Sequence, residues 1–244
     1  MRYSLLSSIF FLSCISLFIF LGLWQIDRAD EKKNIVKLNQ ERESLTPIYI
    51  KEIPREDIEY LDYRNLRLRG KYLEETFLLD NKINQNKVGL NVISLFQLSD
   101  INQVVLIDRG WVQMEGERKD ISKNYFYLVK DLPLNHKTEI SGKFKYFKEK
   151  PFSIGDISTN KKWPRLIQNI DFIEIKRILN NDNIVENVVL RLDSNNLGVY
   201  KRNWKVINMS SDKHLGYAVQ WFGLAFLLLF LYIFIILRKT KNAR

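Results

Sequence analysis

Two charge-free apolar runs, Tyr3–Ile26 and Leu215–Leu237, bracket the 244-residue chain and constrain it more than any other feature. At ~1.5 Å of rise per residue each run reaches roughly 35 Å as a helix, enough to cross a ~30 Å hydrocarbon layer with some tilt. The core helices of soluble proteins seldom stay charge-free for so long. Both runs therefore read as transmembrane helices, over residues 3–26 and 215–237. Tyr217, Trp221 and Phe222 form an interfacial aromatic belt at the start of the second, and Arg238 and Lys239 close its far end. A cleaved signal peptide has a shorter apolar core and a small-residue cleavage site. Here the run ends in Gly22-Leu23-Trp24-Gln25, and it continues well past Cys14 of a Leu12-Ser13-Cys14 lipoprotein-like site. The first helix is a retained anchor.

Flanking charge sets the expected orientation. The tail, residues 238–244, holds Arg238, Lys239, Lys241 and Arg244 and no acid, and Arg2 lies on the same side. The opposite flanks are mixed: Asp27, Arg28, Asp30 and Glu31 after the first span, Asp212 and Lys213 before the second. Both termini, including the basic tail, are expected in the cytoplasm, with residues 27–213 outside it. The formal charge of +10 does not point to nucleic acid. Without Arg2 and the tail cations, 33 Lys and Arg face 28 Asp and Glu, and no basic helix or Gly-rich RNA-binding motif accompanies them. The single cysteine, Cys14, sits in the first span, which excludes a CxxC or a paired thiolate metal site.

From Gln25 to about Ser44, Ile26, Ala29, Lys33, Val36 and Asn39-Gln40 recur at helical spacing, so the first span is expected to continue outward as a helix until Pro47 and Pro54 break it. Strand patterns follow at Leu66–Tyr72, Phe77–Asn81, Val88–Leu98, Val104–Val112, Thr138–Phe147 and Val188–Asp193. Ile170–Leu179 reads as a short helix, with Ile170, Ile173, Ile175 and Ile178 apolar and Asp171 near its start. Strands and helices do not alternate. The fold class expected is membrane-anchored α+β, two transmembrane helices flanking a mostly antiparallel, β-rich extracytoplasmic domain built as a curled sheet or small barrel.

The sequence contains no Gly-rich phosphate loop, no HExxH and no GxSxG elbow. Of two histidines, His136 reads as an exposed loop residue. Arg109-Gly110-Trp111 reads as structural, with Trp111 packed in the core and Gly110 at a bulge. His214 differs. At 100° per residue, His214, Tyr217, Ala218, Trp221 and Ala225 share one helix face, whereas Gly216, Gln220 and Gly223 share the opposite one. The glycine face suits close packing against a partner helix. The histidine face, with Trp24, Gln25 and Arg28 emerging at the same membrane surface, offers an axial nitrogen, aromatic walls and a cation for carboxylates, which are the needs of haem. An interfacial histidine in an aromatic belt is the alternative reading of the same residues.

Four blocks resemble the surfeit locus family of cytochrome c oxidase assembly factors. They are Gly22-x-Trp24-Gln25-x-x-Arg28-x-x-x-Lys32; Tyr63-Arg64 with Gly70-x-Tyr72, Leu79-Asp80-Asn81-Lys82 and Gly89; Val104–Val112 ending in Asp108-Arg109-Gly110-Trp111; and His214–Ala225. Between them, Pro151-Phe152, Trp163 and Asp171 also match. The resemblance implies a non-catalytic chain that holds haem a transiently and aids its insertion into the oxidase catalytic subunit, working beside the haem a synthesis machinery. His214 would be the haem-associated residue and iron ligand, with Tyr217, Trp221, Trp24, Gln25 and Arg28 around the cofactor. Because the chain begins almost at its first span, a bacterial inner-membrane protein with a periplasmic domain is expected. The rivals are a two-span sensor or structural scaffold without haem, a polymer-length regulator and, more remotely, a hydrolase. A sensor needs a cytoplasmic output module beyond residues 238–244, and a length regulator needs sustained heptads.

Overall fold

The computed structural model describes residues 2–130, 132–134, 136–148, 162–202 and 204–242. The chain divides into two compact units. One comprises the residues up to Leu38 with those from Lys205 onward, and the other is Asn39–Trp204. Pro151-Phe152, Asn135, Ala243 and Arg244 lie outside the described residues.

The first unit is built on two long helices, α1 (Arg2–Glu43) and α5 (Ser211–Asn242). Within them, Leu5–Glu43 and Ser211–Arg238 are long and apolar enough to cross a membrane. The charged extension beyond Ile26 stays helical to Glu43, as its 3.6-residue spacing predicts.

In the second unit, seven strands form one sheet: β1 (Ile48–Ile50), β2 (Asn65–Asn84), β3 (Lys87–Leu98), β4 (Val104–Gln113), β5 (Thr138–Tyr146), β6 (Arg165–Ile167) and β7 (Ile184–Leu192). The order β2-β3-β4-β7-β5 returns to β2, because β5 also pairs antiparallel with the first half of β2, Asn65 opposite Lys143 through Gly70 opposite Thr138. The result is a closed five-stranded barrel with no free main edge. Four of its five pairings are antiparallel and β4–β7 is parallel. β1 and β6 add short parallel pairings to β2. The sequence pattern divides β2 in two; the structure runs it unbroken, with the register shifting between Tyr72 and Thr76, where Glu74-Glu75 interrupts the alternation.

β2 begins with strict alternation, Leu66, Leu68, Gly70 and Tyr72 inward and Arg67 and Arg69 outward. β4 is buried along nearly its whole length because it has apolar layers on both faces. Val105 and Ile107 join Leu68, Phe96, Phe144 and Leu190 in one core. Val104 and Leu106 join Phe77, Ile93 and Val189 in a second, closed by α4 (Phe172–Leu179). The Asp171 carboxylate caps α4 by accepting from the Ile173 and Glu174 N–H groups, each at 3.1 Å. Its buried stripe is Phe172 and Ile175; Ile173, expected inside, is exposed. His136 is exposed in a bend, as expected. Two single-turn helices, α2 (Ile121–Asn124) and α3 (Tyr127–Lys130), cover a third cluster of Leu78, Leu90, Val92 and Tyr125.

Candidate functional site

α1 and α5 meet through a short ladder of side chains. The Phe18 and Trp221 rings lie 5.7 Å apart between centroids. Gly22 leaves room for the Phe222 ring, which a Cβ there would meet at 2.6 Å. The Phe11 and Tyr232 rings are 5.4 Å apart toward the chain ends. Ala218 and Ala225 are buried, whereas nothing lies within 4 Å of a Cβ placed at Gly216 or Gly223. This reverses the expected assignment of faces. The histidine face of α5 packs on α1, and the glycine face is open. The close approach comes from Gly22 of α1, which accepts a ring from α5, so no glycine of α5 has to supply it.

The ladder's polar rung is His214 with Gln25. His214 is 8% exposed, and its Nδ1 lies 2.7 Å from Gln25 Oε1. A glutamine oxygen can only accept, so Nδ1 carries the proton and Nε2 keeps its lone pair in the neutral ring. Nε2 is buried and has no hydrogen-bond partner among the described residues. The other expected site residues divide. Trp221 is partly buried against Phe18, while Trp24 and Tyr217 remain exposed on neighbouring flanks. Arg28 pairs with Glu31 one turn on, and Lys32 shares the same carboxylate at 3.0 Å. The structure thus joins Gln25 to His214, sets Trp221 against Phe18 two turns along the helices, and engages Arg28 within its own helix. Among the described residues no three His, Cys, Asp or Glu side chains converge as a metal site.

A second polar centre lies in the barrel. Gly110 has φ 108°, and two residues of β4 oppose one of β3 there, which is the expected bulge. The Trp111 ring is 7% exposed, stands over Gly89 and donates from Nε1 to the Lys82 carbonyl at 3.0 Å. Pattern reading missed Arg109, which is fully buried. It donates to the carbonyls of Leu128 and Gly198, each at 2.8 Å, and lies within 3.3 Å of Ser94 Oγ and the Tyr200 hydroxyl. Asp108 accepts from Asn91, the Gly110 N–H and Trp204 Nε1. Burial pushes the Asp108 carboxyl above the usual carboxylate range, against the opposing pull of Arg191 and these donors. The available signal was two adjacent charges inside the most apolar strand, a position where charges persist only when satisfied.

A sequence profile of the SURF1 family matches residues 12–226, taking in most of α1, the first half of α5 and the whole barrel. The chain belongs to the SURF1 family. A SURF1-like protein of Rickettsia prowazekii is 25% identical over 230 residues, covering 91% of this chain and 85% of that protein. A SURF1-like protein of Dictyostelium discoideum is 30% identical over 130 residues, and the cytochrome oxidase assembly protein SHY1 of Saccharomyces cerevisiae is 31% identical over 112. The match spans only 46% of the Dictyostelium protein's length and 28% of the yeast protein's. The matched span contains both polar centres of this chain, His214 and the Asp108–Trp111 bulge.

Proposed function

We propose that this chain is a non-catalytic assembly factor for cytochrome c oxidase, anchored in a bacterial inner membrane with both termini cytoplasmic and the barrel periplasmic, and that its helix pair holds haem a for delivery to the catalytic subunit. Membership of the SURF1 family and the name of the yeast relative support the assembly role. The basic tail supports the orientation. The observation that carries the haem reading is the buried Nε2 of His214, without a partner among the described residues, behind an Nδ1–H fixed by Gln25. A histidine ligand held by a hydrogen bond at its other nitrogen is the usual arrangement in metal sites.

Haem would bring its own iron, already held by the macrocycle, so one imidazole is enough to bind it. His214 would hold that position. Gln25 would orient the ring, and Trp24, Tyr217 and Trp221 would offer apolar surface to the macrocycle. Arg28 would reach a propionate by leaving Glu31. Partners on this reading are the oxidase catalytic subunit and the machinery that makes haem a.

The test is haem content and absorption spectrum of the purified full chain, co-expressed with haem a synthesis. His214→Ala is expected to lower haem per protein and shift the spectrum while leaving the barrel folded. Unchanged occupancy and spectrum in His214→Ala would reduce His214 to a belt residue. Haem-free wild type would leave a scaffold for the assembling oxidase.

A further inference from the structure

β2, β4 and β7 run in the same direction, so the β2–β3 turn, the connection leaving β4 and the chain leaving β7 all emerge at one end of the barrel. The Arg109–Trp111 bulge gathers these three connections. Arg109 holds the Leu128 and Gly198 carbonyls. Trp111 holds the Lys82 carbonyl, and its backbone exchanges hydrogen bonds with Lys201. Lys201 in turn donates to Gln85 at the tip of the β2–β3 turn at 2.6 Å. At that tip Gln85 and Asn86 are both left-handed, at φ 48° and 62°, as a tight two-residue hairpin turn requires.

Each gathered connection carries large apolar side chains into the open. Ile83 and Val88 face each other across the tip and are 68% and 48% exposed. Phe126 and Tyr127 are exposed beside Leu128, and Leu197 is 70% exposed beside Gly198. Buried charge and backbone bonds hold these side chains outward, at a cost in apolar hydration that nothing in the barrel requires. Exposed cations, Lys87, Lys201 and Arg202, lie on the β2–β3 hairpin and the chain leaving β7, while the connection leaving β4 carries the exposed acids Glu115, Glu117 and Asp120 beside Arg118 and Lys123.

We infer that this end of the barrel rests on a lipid bilayer, with Ile83, Val88 and Leu197 entering the interfacial layer and Lys87 and Arg202 meeting anionic phospholipid headgroups. Apolar side chains ringed by cations are the signature of an interfacial surface on an anionic leaflet. In sequence, the segment that carries Leu197 and Lys201 leads within ten residues to α5, which is apolar enough to span a bilayer. The inference does not depend on haem.

The test uses the full chain with Cys14→Ser, reconstituted in nanodiscs of phosphatidylglycerol with phosphatidylethanolamine or of phosphatidylcholine alone. An environment-sensitive fluorophore is placed at Ile83→Cys, Leu197→Cys or, as a control on α4, Ile173→Cys. A lipid-borne spin label is expected to quench the first two severalfold more than the third, and more in the anionic discs. Lys87→Glu with Arg202→Glu should weaken the anionic contact by roughly fivefold per charge. Equal quenching at all three positions overturns the inference. So does a probe at Ile83 that stays wet in both discs and becomes apolar only in native membranes containing the oxidase, which would assign the surface to a protein partner.

Discussion

Replacing Trp111 with alanine removes a side chain that is 7% exposed and leaves a void over Gly89, which has no side chain to fill it. Loss of a buried Trp side chain with its cavity costs ~3–5 kcal/mol. The change also strands the Lys82 carbonyl that accepts from Nε1, which puts the cost in the upper part of that range. A domain of this size has ~5–15 kcal/mol to lose, so Trp111→Ala brings the barrel close to its unfolding threshold. Trp111→Phe keeps most of the apolar area and loses the hydrogen bond, for about 1–2 kcal/mol. The assay is hydrogen exchange by mass spectrometry on the full chain in nanodiscs, reading β4 peptides against α1 and α5 peptides as internal controls. At ~1.4 kcal/mol per decade, global opening of the barrel should quicken by about a hundred- to a few thousand-fold in the alanine variant and about tenfold in the phenylalanine variant. The helix peptides should not change. If Trp111→Ala shifts β4 exchange by less than tenfold, the structural reading of Arg109-Gly110-Trp111 is wrong. Full stability together with lost oxidase assembly would make this motif a partner-binding site.

Two further expectations concern ionisable groups in the barrel. Tyr72 is 1% exposed with a hydroxyl that has no partner among the described residues, and burial pushes its phenol up to about 12 despite the nearby Arg109 charge. Tyr72→Phe should therefore be neutral or stabilising by up to ~2 kcal/mol in chemical unfolding, and a loss above ~1 kcal/mol would reveal a hidden partner for the hydroxyl. Because the unfolded phenol ionises near pH ~10, the wild-type barrel should lose stability as pH rises above that value and Tyr72→Phe should lose less. Asp80 stands the other way. Burial raises its carboxyl, but hydrogen bonds from Arg118 and the Asn81 N–H, with the Arg118 charge, bring it below the usual range. A depressed carboxyl stabilises above its unfolded value of ~3.9 and loses that contribution as pH falls through its folded value, so Asp80→Asn should flatten the acid limb of the stability profile below about pH 4. An unchanged acid limb would show that the Arg118 pair contributes nothing.

The amino-acid sequence by itself determined what depends on near neighbours along the chain. Charge-free length sets the two long helices, the 3.6-residue repeat carries α1 on to Glu43, and the Asp171 cap starts α4, because a helix satisfies its hydrogen bonds within itself. Alternation at Leu66, Leu68 and Tyr72 likewise declares a half-buried strand whatever lies beside it. Pairing was not legible in the same way. The return of β5 onto β2 and the parallel placement of β7 beside β4 join residues far apart in sequence, and nothing local encodes which edge meets which. The unbroken apolar run of β4 announces burial on both faces without naming the layers. Arg109 reads locally as part of a structural motif, and only tertiary structure brings Leu128, Gly198 and Tyr200 around its charge. The site on the helices divides along the same line. Angular spacing placed His214, Ala218 and Trp221 on one face of α5, but which face meets α1 depends on Gly22 receiving Phe222. A single helix has no record of its partner's shape, so only the packed pair decides that His214 turns to Gln25 while Gly216 and Gly223 stay open.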